Sequence, residues 1–223
     1  VDIALWDAAG REAGKSVAEL LGGRCRNTLP AYVSGLPKPT LDERVELAKG
    51  WQEKGFNSFK IAGTVADDGN VKEVAALRSA LGPDALIACD MHWAYDPDGA
   101  IAEIKAMEAH DLWFAEAPIE PEDIKGLARV AQSVETPIGA GEEWRTLYEA
   151  QLRFDVNGLQ IFQPEMGHIG ISEFVRITEV AHSQGISILP HATIGVGIFL
   201  AASLQTSLTL EGLIGHEFQH SIF

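Results

Sequence analysis

The strongest constraint on this chain is its rhythm: eight short apolar runs separated by seven longer stretches of helical period. The runs are LPAYVSGL (29–36), FNSFKIAG (56–63), ALIACDMH (85–92), LWFAEAP (112–118), TPIGAGEEW (136–144), GLQIFQPE (158–165), ISILPHA (186–192) and LIGHEFQ (213–219). The stretches between them, such as DERVELAKGWQEKG and SEFVRITEVAHSQG, are amphipathic and close on a glycine, which suits a helix C-terminus. Strand and helix in alternation build parallel βα units, and this number of them fits a closed barrel better than an open sheet. The expected fold is α/β, a (β/α)7β TIM-like barrel. Residues 1–21 read as one more helix, with Leu5, Ala8, Ala9 and Ala13 spaced for a buried face and LLGG ending it. The chain thus divides into a pre-barrel helix and connection (1–28) and a barrel (29–223). At 223 residues and 46% hydrophobic content it has enough apolar mass for one such core.

The runs end in polar or ionisable residues: Lys60, Asp90 with His92, Glu116, Glu142 with Glu143, Glu165, His191 and Glu217. In a βα barrel the carboxyl ends of the strands form one rim, so these side chains converge on a single mouth. Strand alternation puts Asp90 and His92 of ACDMHW on one face and Cys89 and Met91 on the other. Asp90, Glu116 and Glu142 carry the sharpest signal, because their spacing is identical on three consecutive strands. Three converging carboxylates repel one another unless a divalent cation lies between them. Mg2+ suits such a site, since it takes oxygen ligands and keeps positions open for water and substrate. Zinc suits it less, as neither cysteine is placed to help and the histidines lack its usual spacing. The competing reading is three rim carboxylates paired with Lys or Arg, but only 17 basic residues stand against 32 acidic ones. Glu165 next to His191 can hold one imidazole tautomer and raise its basicity, as a general base requires. A core histidine hydrogen-bonded after Pro190 is the alternative there.

The formal net charge of −15 and the pI near 4.8, with acidic residues spread along the chain, argue against nucleic acid or an anionic membrane as partner. They are compatible with a cation in an acidic pocket, and equally with solubility alone. Cys25 and Cys89 give no disulfide framework, so a reducing compartment is the simpler assumption. No segment has the ~18 uninterrupted apolar residues of a membrane span, and the start lacks the basic-then-apolar order of a signal peptide. A cytoplasmic protein is expected.

Taken in order, FKIAG, CDMH, FAEAP, GAGEEW, QPEMGHIG, LPHATIG and GHEF resemble the barrel domain of the enolase superfamily, specifically its mandelate racemase-like subgroup. ALWDAAGREAGKSVAELLGG resembles the helix that precedes that barrel. The resemblance implies that Asp90, Glu116 and Glu142 are Mg2+ ligands and that Lys60 is the first lysine of a second-strand Lys-x-Lys motif. It further implies that His191 and Glu165 form a catalytic dyad, with glutamate for the more usual aspartate, and that Glu217 contacts the substrate carboxylate or enolate. Ala62 stands where many relatives carry a second lysine. MGHIGIS is one residue shorter than the usual Gly-Gly version, which is expected to shift the loop after Glu165. His92 stands where most relatives have asparagine. An Asp-x-His pair resembles the galactonate and mannonate dehydratase branches, where this histidine helps hydroxide leave, and the galactonate branch also lacks the second lysine. The implied activity is Mg2+-dependent dehydration of a small-molecule acid sugar, an aldonate or aldarate, to a 2-keto-3-deoxy acid. The alternatives are a racemase, epimerase or cycloisomerase of the same family, or a noncatalytic metal-binding barrel. The family also implies an α+β capping domain that these 223 residues lack, so a barrel without its lid, and a homo-oligomer, are expected.

Overall fold

The computed structural model describes residues 1–66, 68–192 and 197–219. Residues 193–196 of LPHATIG, and 220–223 at the end of the expected barrel, lie outside the described residues. The barrel begins with β1 (Ala31–Ser34), α3 (Leu41–Gln52), β2 (Ser58–Ala62), α4 (Asn70–Leu81), β3 (Leu86–Asp90) and α5 (Pro97–Glu108), preceded by α1 (Asp2–Ala13) and α2 (Val17–Leu20). It continues through β4 (Leu112–Glu116), α6 (Ile124–Ser133), β5 (Ile138–Ala140), α7 (Leu147–Phe154) and β6 (Ile161–Phe162). It ends with α8 (Met166–Ser183), β7 (Ser187–Ile188), α9 (Gly197–Ser207) and β8 (His216–Gln219). Helix starts are written locally: Thr40 with Glu43, and Thr146 with Glu149, form capping boxes, while Asp96 and Asp123 cap through their carboxylates.

The sheet runs β7-β6-β5-β4-β3-β2-β1-β8 with every pairing parallel. An isolated parallel bridge between Ile188 and Leu213 joins its two ends. There the Ile188 N–H donates to the Gly212 carbonyl at 3.0 Å and the Ile214 N–H to the Ile188 carbonyl at 2.9 Å. The expected (β/α)7β barrel is the observed fold, and this bridge covers the β7 edge among the described residues. Each strand is shorter than its apolar run, because the carboxyl-terminal residues of the run leave the ladder to build the rim.

Period-two alternation gives two cores. Outward residues such as Val33, Phe59, Ile87, Cys89 and Ile188 pack against the helices in the main core. Tyr32, Ala88, Phe114, Ile161 and Leu189 form a separate buried cluster. Two residues further along the same strands stand Ser34, Asp90, Glu116, Gln163 and His191, so the apolar cluster is the floor of a polar layer. Emptying that floor, as in Phe114→Ala, would cost about 3–5 kcal/mol.

The single helix expected over 1–21 is two helices. Gly14 ends α1 in the left-handed region (φ 64°), and Ser16 and Glu19 open α2 with a capping box. The buried face also differs: Leu5 is 64% exposed and Ala8, Ala9 and Ala13 are exposed, while Ile3, Trp6 and Gly10 face inward. The cause is Gly10, where a Cβ would stand 2.7 Å from the Lys15 carbonyl oxygen. A second anchor is Ser172: its hydroxyl donates to Asp2 Oδ1 at 2.6 Å, and it accepts the Trp6 indole N–H at 2.9 Å. Gly170 breaks α8 just ahead of Ser172 with φ 75° and ψ 175°, which is the form the loop after Glu165 takes. Among the described residues no helix is long and apolar enough to cross a membrane.

Candidate active site

Register sets the polar layer. Asp90 pairs with Ala62 on one side and with Glu116 on the other, and Glu116 pairs with Gly139. Two carboxylates directly opposite on neighbouring strands are mutually destabilising unless positive charge reaches them. Lys60 supplies one such charge. Its Nζ lies 2.5 Å from Glu116 Oε1 and 3.0 Å from Glu217 Oε1, with all three side chains buried. Burial alone lowers an ammonium pKa, but Glu116 and Glu217 outweigh it and hold Lys60 well above its usual value. One ammonium serves two carboxylates. Burial opposes the Glu217 charge, yet Lys60, His191, the Ser34 hydroxyl and the Ala192 N–H bring that carboxyl down to about 2. Burial pushes Glu116 up to about 8; Lys60 opposes this, while the nearby Asp90 and Glu217 charges add to it.

Glu165 and His191 meet as the sequence suggests. His191 Nδ1 is 2.8 Å from Glu165 Oε2, and the other carboxylate oxygen accepts the Gly167 N–H at 2.8 Å. The strands bring them together, since Glu165 and His191 form a parallel bridge. A carboxylate oxygen on Nδ1 fixes the proton there and leaves Nε2 as the working nitrogen. Nε2 faces Glu142 Oε2 at 3.1 Å and Glu217 Oε2 at 3.7 Å. Burial disfavours the imidazolium, but Glu217, Glu165 and Glu142 outweigh it and raise His191 to about 10.

One ligand atom from each of Glu116, Glu142 and His191 lies within 4.8 Å of the others. Asp90 stands outside that set, tied to Glu116 through register. Among the described residues, no Lys or Arg ion pair reaches Asp90 or Glu142. Glu116 and Glu142, with Asp90 beside Glu116 in register, offer the hard oxygen donors that a divalent cation takes.

His92 needs a correction. β3 ends at Asp90, and His92 and Trp93 both turn left-handed, with φ 50° and 57°. Strand alternation therefore does not place His92; a turn does. The turn holds because the His92 N–H donates to Asp90 Oδ1 at 3.0 Å and the Trp93 N–H to the Ala117 carbonyl at 2.7 Å. The imidazole leans on the Trp93 ring, centroids 4.6 Å apart, with Nδ1 3.9 Å from Asp90 Oδ2 and the side chain 50% exposed. Two consecutive non-glycine residues in this region cost on the order of 1–3 kcal/mol each, a strain found mostly at functional sites.

The structure adds residues that sequence reading passed over. Gln163 is buried and donates from Nε2 to Glu116 Oε2; the signal was its position two before Glu165 in QPE. His168 Nδ1 donates to the Glu142 carbonyl at 2.8 Å. Glu143, which the sequence reading named beside Glu142, is pushed by burial and the adjacent Glu142 charge up to about 7. A cavity of about 610 Å3 lies elsewhere, between α1, the first turns of α8, and α9, and contains none of the ionisable residues expected at the rim.

Residues 43–223 match the family model described as Enolase C-terminal domain-like. The chain is 33% identical over 211 residues to a D-galactarolactone cycloisomerase of Agrobacterium fabrum, covering 92% of this chain and 55% of that protein. It is also 33% identical over 216 residues to a D-galactonate dehydratase of Ralstonia nicotianae, covering 92% and 56%. A crystal structure of a member of the enolase superfamily from Agrobacterium tumefaciens superimposes with a TM-score of 0.97 at 57% identity, over 99% of this chain and 57% of that one. The chain thus spans a little over half the length of the proteins it matches.

Proposed function

The chain belongs to the enolase C-terminal domain-like family, and from that premise we propose that it is the barrel of a Mg2+-dependent acid-sugar dehydratase. The observation that carries this reading is the oriented base: His191, its Nδ1 held 2.8 Å from Glu165, turns Nε2 toward the carboxylate cluster. In this reading Nε2 takes the proton α to the substrate carboxylate. Glu165 stabilises the imidazolium that forms without accepting its proton. Lys60 and Glu217 lie beside the position where the substrate carboxylate gains negative charge. Asp90, Glu116 and Glu142 would hold Mg2+, which supplies electrostatic stabilisation of that charge. His92, half-exposed at the rim, gives a proton to the departing β-hydroxyl. The Cα–H and Cβ–O bonds break, water leaves, and the enol product tautomerises to the 2-keto-3-deoxy acid. Ala62, beside Asp90 in register, leaves that face without a lysine base. The unpaired Cys25 and Cys89 support the cytoplasmic assignment.

The cycloisomerase relative favours a second reading. In a sugar-acid lactone whose ring oxygen sits β to the free carboxylate, the leaving group is itself a carboxylate. It departs without a proton, and His92 has no acid role. Incubation with Mg2+ and a panel of aldonates, aldarates and their lactones separates the readings. Keto-acid formation from open-chain acids, read by semicarbazide absorbance, supports dehydration; turnover of lactones alone supports cycloisomerisation. No turnover across the whole panel contradicts both.

A further inference from the structure

We propose that Gln163 is a positioning residue for a divalent cation, holding the Glu116 carboxylate in the orientation that the cation requires. The inference rests on the reading of Glu116 as a cation ligand. Gln163 is 1% exposed, and its Nε2 donates to Glu116 Oε2 while Lys60 occupies Oε1. Both carboxylate oxygens are thus engaged by the chain from opposite sides, which fixes the plane of the carboxylate and aims its remaining lone pairs. Groups that orient a ligand this way affect affinity nearly as strongly as ligands do.

Three features show that the arrangement is built for Glu116 rather than for packing. First, Gln163 Oε1 is buried with no hydrogen-bond partner among the described residues. A buried acceptor left without a donor is unfavourable, and turning the amide over would only set that oxygen against the carboxylate. The amide is committed to giving its N–H to Glu116. Second, the room for this orientation comes from Gly139, the register partner of Glu116: a Cβ there would stand 2.4 Å from Gln163 Oε1. Third, Gln163 stands two residues before Glu165, so one short segment orients both the proposed ligand and the base.

Mn2+, an oxygen-liganded cation whose free form is counted by electron paramagnetic resonance, is the probe. Gln163→Met keeps length and volume while removing the amide, and about a tenfold or greater rise in the Mn2+ Kd is expected. Gly139→Ala pushes the same amide without touching a ligand and moves Kd the same way. Thr178→Val, at a buried site in α8 remote from the rim, lowers Tm with no change in Kd. If Glu116→Gln abolishes binding while Gln163→Met and Gly139→Ala bind within twofold of wild type, Gln163 has no positioning role. If Glu116→Gln binds as wild type does, the ligand reading fails and takes this inference with it.

Discussion

His191 Nε2 and the Glu142 carboxylate face each other at 3.1 Å, so the nitrogen that would act as base touches a residue that would bind the cation. Proton and cation therefore compete for the same carboxylates. In the proposed reading, a cation drawing on the Glu142 charge would free the base.

The stability of cation-free protein should carry this signature. His191 is raised from 6.5 to about 10 in the folded state, so its contribution is fully present below pH ~6.5 and lost as pH rises through about 10. Glu116, raised to about 8, acts in the same direction. In EDTA, the Tm advantage of wild type over His191→Asn is expected to shrink between pH 6 and pH 10. An advantage that grows with pH would mean that His191 is not charged in the folded state.

Lys60 sits between two buried carboxylates, and Lys60→Met leaves both without their cation. Breaking a buried pair from one side costs about 3–5 kcal/mol, and the loss should appear in urea unfolding without divalent ions. A change below about 1 kcal/mol would show that the carboxylates have another partner.

The left-handed backbone at His92 makes asparagine the appropriate replacement, since asparagine tolerates that conformation. His92→Asn is expected to fold as wild type does and to lose dehydration by about 100- to 10,000-fold while exchange of the α-proton with solvent continues. Retention of full dehydration activity would mean that His92 is not the acid for the departing hydroxyl.

Asp2 accepts both the N–H and the O–H of Ser172 and so caps the part of α8 that follows the Gly170 break. Asp2→Ala is expected to cost about 1 kcal/mol in Tm-derived stability. No change would mean that α1 packs on α8 through apolar contacts alone.

The barrel was legible because each βα unit repeats the same pattern and closure follows from the count. Lys60, Glu116, Glu165, His191 and Glu217 were legible because each stands at the inward position of a strand end. What period alone could not show was backbone detail. Nothing in ACDMHW signals two left-handed residues, because they depend on Trp93 reaching the Ala117 carbonyl of the next loop. The α1 face was misread because small and apolar residues line both of its sides, and the contact of Gly10 with Lys15 decided which side packed. Gln163 was passed over because a neutral amide carries no chemistry until its partner is known.

The most direct test of the account is deuterium exchange at the α-carbon. Wild-type protein with Mg2+ and an acid-sugar panel in D2O should incorporate deuterium α to the carboxylate, or yield keto acid, for at least one compound. His191→Asn should do neither while remaining folded. Exchange by His191→Asn at the wild-type rate would contradict the assignment of His191 as the base, and with it the central claim.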